Sequence, residues 1–323
     1  MSQELKERPE LTEEVTISPP QKKPAGTPAL LWAKLAAGIS ALALVVSCAA
    51  LVVSLSPNEP QAPEQAPPDQ SQLSVPHQSP AVVIYRDQEI PVLENVPKNR
   101  HTLSCFSADR QGWQRYKTAD GEARMGIDVS SYQGDIDWKQ VADSGIEFAM
   151  IRCGYRGYTK GVITKDKYFT KNIRGALNAG LEVGVYFFSQ ATNVWEAEEE
   201  ADYVLQAIRG YNVTYPVVFD WEYITGNSQA RTNTMQGDDI TRCAGAFCDM
   251  VAQAGYDPVI YFNKDLGYLG YQLDKLTDYT FWLAEYETTP SFHYDFDLWQ
   301  YTHRGTVPGI EGSVDLNLDL RGL

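Results

Sequence analysis

The 323-residue sequence predicts an α/β protein: an irregular TIM-like barrel with eight strands and five helices, preceded by a transmembrane helix and a Pro-rich stalk. Three observations predict it. From Met125 onward eight short β-like runs recur, beginning at Met125, Ile146, Leu181, Tyr215, Asp257, Thr280, Phe296 and Ser313. Five segments with helical signals separate the first six runs, and the last three follow one another through short loops. Alternating strands and helices make a parallel sheet, and eight strands in about 200 residues close into a barrel whose last helices are missing or reduced to turns. The third observation is a 21-residue stretch without charge, Leu35 to Leu55, rich in Ala, Leu and Val.

In chain order, residues 1–34 are polar, carry Pro19, Pro20, Pro24 and Pro28, and show no apolar period, the composition of a disordered tail. Residues 35–55 would span ~31 Å as a helix at ~1.5 Å per residue, close to the hydrocarbon thickness of a bilayer. A cleaved signal peptide or a buried core helix are the competing readings. The 34-residue polar lead is long for a signal, and a core helix would show a polar face. Lys22, Lys23 and Lys34 precede the apolar run and the first basic residue after it is Arg86, which places the N-terminus in the cytoplasm and the rest outside. Residues 56–80 hold seven prolines and read as an extended stalk. Residues 81–124, with one strand-like run from Ala81 to Tyr85, are expected to form a small β-rich prelude, and 125–323 the barrel.

Within the barrel the segment Asn193 to Arg209 opens with Asn193 and Glu196 in capping-box spacing and stops before Gly210. The acids Glu196, Glu198, Glu199 and Glu200 on it read as a solvated helix face. The formal charge of -15 argues against nucleic acid, which needs a basic footprint. Of five cysteines none lies in C-x-x-C spacing, which argues against a zinc ribbon and leaves disulfides open; Cys243 and Cys248, five apart on a helix, point to different faces, which argues against a bridge between those two. The four histidines, His77, His101, His293 and His303, give little basis for a nucleophilic triad, and there is no glycine-rich phosphate loop. No metal and no cofactor are expected.

Chemistry is expected at the C-terminal ends of the strands. The run Pro216 to Glu222 is apolar until it ends in Asp220 and Glu222, two positions apart and therefore on one face, with α-carbons ~6.6 Å apart. Two such carboxyls suit glycoside hydrolysis: one protonates the leaving oxygen and the other stabilises the cationic sugar, and their proximity raises one pKa. Two solvated acids at a strand end are the bland alternative. Asp128 ends the first strand, and Asp315 lies on the last, which closure places beside the first, so four acids meet at one rim. Tyr186, Phe188, Tyr261, Trp282, Tyr286, Trp299 and Tyr301 are the aromatics assigned to that rim as a platform for sugar C–H faces, with about half of them expected in the packing layers instead.

These residues carry a family resemblance. Gly126-Ile127-Asp128-Val129-Ser130-Ser131-Tyr132-Gln133-Gly134 with Ile136-Asp137-Trp138, Phe219-Asp220-Trp221-Glu222, Leu298-Trp299-Gln300-Tyr301 and Val314-Asp315-Leu316-Asn317 make Met125 to about Asp319 similar to the glycoside hydrolase family 25 lysozymes, the Chalaropsis-type N-acetylmuramidases. The resemblance implies a β/α barrel that cuts the β-1,4 bond between N-acetylmuramic acid and N-acetylglucosamine with retention. By it Glu222 is general acid and base, Asp220 stabilises the intermediate, and Asp128 and Asp315 support the cleft. Phe187 departs from the histidine that many relatives carry there.

The expected partners are peptidoglycan glycan strands, the membrane through one helix, and a cell-envelope apparatus such as a secretion or conjugation machine. Two other readings stay open at this level: a catalytically silent wall-binding or scaffold protein, and a glycosidase of chitin-type chains.

Overall fold

The structure, a computed structural model, describes residues 81–323. The tail, the apolar run and the stalk read from the sequence lie outside the described residues. Among the described residues no helix is long and apolar enough to cross a membrane.

The described chain begins with two hairpins, β1 (Val82–Tyr85) with β2 (Gln88–Pro91) and β3 (Phe106–Ala108) with β4 (Gln114–Tyr116). The first turns through Arg86 and Asp87, both at positive φ, the backbone that a tight two-residue hairpin requires. The barrel follows as β5 (Arg124–Val129), α1 (Trp138–Asp143), β6 (Phe148–Arg156), a short β7 (Ile163–Lys165) folded back on β6, α2 (Phe169–Asn178), β8 (Glu182–Ser189), α3 (Val194–Ala207), β9 (Val217–Trp221), α4 (Gly237–Gln253) and β10 (Pro258–Asn263). A five-residue π-helical turn, Leu266–Gly270, stands as the fifth helix before β11 (Thr280–Ala284). Then come β12 (Leu298–Gly305) and β13 (Val314–Asp319) with no helix between them.

All eight strand runs read from the sequence are strands of one closed sheet, in the order β5-β6-β8-β9-β10-β11-β12-β13 and back to β5. One expectation needs correction. Pairing is parallel from β5 through β12, but β13 runs antiparallel to both β12 and β5. The eight-residue link between β12 and β13, residues 306–313, carries no crossover helix, and a parallel return needs one.

Side chains alternate across each strand. Phe148, Met150, Tyr215, Val218, Val259, Tyr261, Trp282, Ala284 and Leu298 form the interior cluster, and the outward residues join the larger core beneath the helices. Gly126 makes room inside, since a Cβ there would stand 2.2 Å from the Phe148 ring.

The absent helices leave the outer face of β12 and β13 without a helical cover. The segment before β5 fills that place: Val96, Phe106, Trp113 and Tyr116 share one buried core with Trp299, Tyr301, Leu316 and Leu318. Phe106 meets the Trp299 indole edge-on at 5.2 Å, and His101 bonds through Nε2 to the Phe296 carbonyl at 2.7 Å. Arg100 pairs with Asp295 and Asp297. Strands without a helix on their outside thus bury their apolar faces under an N-terminal extension, as any half-buried sheet must.

The capping signal of α3 is half realised. Asn193 accepts a bond from the Glu196 amide at 3.1 Å, but the Glu196 carboxylate turns to the Thr192 amide and to Arg231. The acidic face of α3 is also not uniformly solvated, contrary to the sequence reading. Glu200 is fully buried and receives Arg156 Nε at 2.6 Å; Arg156 Nη2 reaches Glu199 at 2.8 Å. An arginine on the apolar strand β6 opposite this helix is what draws the acids inward.

Candidate active site

The C-terminal rim of the parallel strands gathers the acids. Asp220 is the last inward residue of β9, and strand register places Phe188 of β8 on one side of it and Tyr261 of β10 on the other. Glu222 follows just past the strand end and is half-buried, while Asp220 is 6% exposed. Asp128 on β5 stands directly across from Asp315 on β13. Because β13 is antiparallel, its first residues reach this rim, so Asp315, near the start of its strand, arrives where the others end.

A buried network holds Asp128. One carboxylate oxygen accepts Gln300 Nε2 and Asn317 Nδ2, each at 2.8 Å. Asn317 in turn accepts the Trp282 indole N–H at 2.9 Å, and Gln300 Oε1 accepts the hydroxyls of Tyr261 and Tyr286, each at 2.9 Å. An indole only donates and a carboxylate only accepts, so both amide orientations are fixed by their partners. Trp282, Tyr261 and Tyr286 are thereby tied to the acid at the barrel's closing seam.

The tyrosines report the field at the rim. Burial pushes the Tyr186 and Tyr261 hydroxyls well above their ordinary range, and the negative charges of Asp128 and Asp220 push the same way, with Asp315 added at Tyr186 and Glu222 at Tyr261. Tyr286 is raised by burial of its hydroxyl and by Asp315, Glu222 and Asp128, although 46% of the residue's surface stays open. All four acids therefore act on the same group of inward rings.

Two of the rim aromatics assigned from sequence belong elsewhere. Trp299 and Tyr301 point outward from β12, 0% and 4% exposed, and pack beneath the N-terminal extension. Trp299 donates its indole N–H to the Glu285 carbonyl at 2.8 Å. The inward residues of that strand are Leu298 and Gln300. The other predicted residues, Tyr186, Phe188, Tyr261, Trp282 and Tyr286, lie on inward strand positions or just past them. Phe187 is outward and fully buried against Tyr203, so the departure from the family pattern faces away from the acids.

Sequence reasoning missed Gln300, Asn317, Gln190 and Arg152. The signal for the first two was parity: each is a polar residue at an inward position two places from another inward one. Gln190, fully buried after β8, donates to the Glu222 carbonyl at 2.8 Å and accepts the Thr232 hydroxyl at 2.8 Å, which fixes the backbone that carries Glu222. Arg152 faces inward on β6, next to a bulge, with its guanidinium bonded to Asp166 at 2.9 Å and resting 5.2 Å from the Tyr132 ring.

Behind the β8 corner lies the Glu200–Arg156 pair. Burial pushes the Glu200 carboxyl up to about 7, against the pull of Arg156 and of a bond from Ser189, whose hydroxyl also accepts the Ala191 amide. A carboxyl whose folded pKa exceeds its unfolded one contributes most below the unfolded value of 4.5, and that contribution is lost as pH rises through the folded value. Glu200 is therefore expected to lower stability by roughly 3 kcal/mol between pH 4.5 and 7. Thermal melts of Glu200→Gln should lose this part of the pH slope; an unchanged slope would show that Glu200 does not titrate there.

No group of histidine, cysteine and acidic side chains suited to a metal occurs among the described residues, and Cys105, Cys153, Cys243 and Cys248 are free thiols. Two carboxyls on one inward face, backed by two more and walled by aromatics, can protonate a glycosidic oxygen and stabilise a sugar cation.

Residues 127–310 match the glycosyl hydrolases family 25, more than half of the chain. The chain belongs to that family. Among curated relatives, Lysozyme M1 of Streptomyces globisporus is 32% identical over 213 residues, covering 62% of this chain and 68% of its own. The autolytic lysozyme of Clostridium acetobutylicum is 29% identical over 197 residues, covering 59% of this chain and 54% of its own. Among solved structures, the modular autolysin LytC of Streptococcus pneumoniae in complex with a synthetic peptidoglycan ligand shares 25% identity at a TM-score of 0.53, covering 74% of this chain and 52% of its own. The chain thus spans about half the length of LytC and of the autolytic lysozyme. The family 25 match includes Asp128, Asp220 and Glu222 and stops before Asp315 and Asn317, which join the site through the closing strand.

Proposed function

We propose that this family 25 protein hydrolyses the β-1,4 bond between N-acetylmuramic acid and N-acetylglucosamine in peptidoglycan, with retention at the anomeric carbon. The observation that carries the proposal is the placement of Asp220 and Glu222 at the end of β9, among Asp128, Asp315 and the inward rings. Glu222, at the more open position, gives its proton to the glycosidic oxygen as the C1–O bond breaks. Asp220, deeper in the rim, stabilises the positive charge at C1, either by bonding to it or by orienting the substrate's own acetamido oxygen. Glu222 then takes a proton from the water that attacks C1 from the face the leaving group vacated. Both routes retain configuration. Asp128 keeps its position through Gln300 and Asn317 and sets the negative potential of the cleft.

The test is product chemistry. Peptidoglycan digested by the full chain and reduced with borohydride is expected to yield reduced muramic acid as the new end. Reduced glucosamine would transfer the protein to a glucosaminidase or chitin-type reading, and no new ends from several walls would leave a wall-binding protein.

The anchor, stalk and cytoplasmic N-terminus read from residues 1–80 complete the proposal: a single-pass protein that cuts wall within reach of its tether, beside a cell-envelope apparatus. Carbonate-washed membranes should retain the chain, and external protease on spheroplasts should release the catalytic part. Recovery of the chain in the wash would overturn the anchor.

A further inference from the structure

Trp195 is the exception among the tryptophans of the described residues. Trp113, Trp138, Trp221, Trp282 and Trp299 are all buried, whereas Trp195 in the first turn of α3 is 83% exposed. A large ring left in water at that level invites a use, because covering it is favourable and nothing among the described residues does so. It borders a cavity of about 480 Å³ between the N-terminal turns of α3 and α4, lined also by Thr192, Asn193, Val194, Asp239 and Arg242. A second depression of about 590 Å³ shares Val194 and Arg242 and continues along the α3–α4 seam. The two make an elongated groove, with Trp195 in the first part and Tyr279, Met250 and Leu276 in the second, among charged and hydrogen-bonding side chains. Arg242 is held in place by Asp238 and Asp239.

We propose that this groove is a second, non-catalytic saccharide site in which the Trp195 ring stacks on a sugar of an N-acetylated glycan chain. The inference rests on the reading of the rim as a glycan-cutting site, and three features favour a sugar as the occupant. The exposed Trp195 ring beside Thr192, Asn193, Asp239 and Arg242 matches a pyranose, apolar on its C–H face and hydroxylated at its edge. The mixed lining, with Arg242 already neutralised by two aspartates, suits a neutral chain over a strongly charged one. The site also lies within reach of the cleft: Trp195 follows Gln190, whose amide holds Glu222, by five residues, at most ~18 Å of chain. A strand leaving the rim can therefore pass over Trp195, and its capture there raises the local concentration of bonds at the acids.

The test uses the full chain carrying Glu222→Gln, so that binding is read without cleavage, with and without Trp195→Ala. The probes are purified sacculi, sacculi stripped of stem peptides, and the N-acetylglucosamine hexamer. Trp195→Ala should weaken co-sedimentation with both sacculus preparations about tenfold and abolish a blue shift of emission that the hexamer produces in the parent. In the otherwise wild-type chain, with Glu222 intact, Trp195→Ala should leave turnover of a short soluble muropeptide tetrasaccharide within about twofold. Equal binding by the two variants with no emission shift would overturn the site, and a Trp195 dependence that vanishes when stem peptides are removed would replace the glycan by a peptide. If the wild-type chain cleaves nothing while Trp195-dependent capture persists, the groove stands and the catalytic reading falls. Melting curves serve as a control, since an 83% exposed side chain should leave the fold unaffected.

Discussion

Glu222→Gln is expected to lower kcat on peptidoglycan by roughly 10²–10⁴-fold with KM little changed, because an isosteric amide keeps the shape of the site and removes only the transferable proton. Asp220→Asn should be at least as damaging, and the two losses are separable. A substrate whose leaving group needs no protonation, such as an aryl glycoside with an acidic phenol, should restore the first step in Glu222→Gln and leave Asp220→Asn inactive. The distinction follows from position: Asp220 is buried between Phe188 and Tyr261, where the proposed mechanism has its carboxylate face the sugar, and Glu222 stands one step outward, where in that mechanism a leaving oxygen and then a water reach it. Recovery of Asp220→Asn and not of Glu222→Gln by the activated substrate would exchange the two roles. Full activity in either variant would remove the pair from catalysis.

The strand-end acids were legible because β9 announces itself. Its sequence is apolar through Phe219 and then charged at alternate positions, and the side-chain period of two leaves no other way to place Asp220 and Glu222 than on one face. The same rule could not set the face of β12. Leu298, Trp299, Gln300 and Tyr301 offer an apolar or aromatic residue at three of four positions, so either parity gives a credible core, and rings are attractive candidates for a sugar platform. What decides is the cover outside the strand, and that cover comes from Phe106 and Trp113, far away in sequence and without a motif of their own. The direction of β13 was hidden for a related reason: strand propensity carries no sense of parallel or antiparallel, and only the missing crossover helix tells them apart. That Asp315 still reached the rim depends on its being the second residue of an antiparallel strand. Glu200 shows the reverse case, an acid that local composition assigns to solvent and a buried arginine on another element draws inside.

The outward placement of Trp299 makes a second large effect predictable, with a sign that a cleft residue would not show. Trp299 is fully buried, meets Phe106 edge-on and gives its indole N–H to the Glu285 carbonyl. Trp299→Ala should therefore cost ~3–5 kcal/mol through the cavity and the orphaned carbonyl. At ~2–4 °C per kcal/mol for a domain of this size, Tm should fall by roughly 6–20 °C. KM measured well below the new Tm should stay near the wild-type value. Tyr286→Ala is the counterpart. Its ring is half open to solvent and its hydroxyl bonds to Gln300, so its removal should raise KM severalfold while shifting Tm by a few degrees at most. A large KM change in Trp299→Ala without a loss of Tm would put that indole back in the cleft, and with it the question of what covers β12. The expected pair of results instead separates the two jobs that aromatic residues share in this barrel: those on inward positions meet the acids, and those on outward positions are held under a segment that takes the place of missing helices.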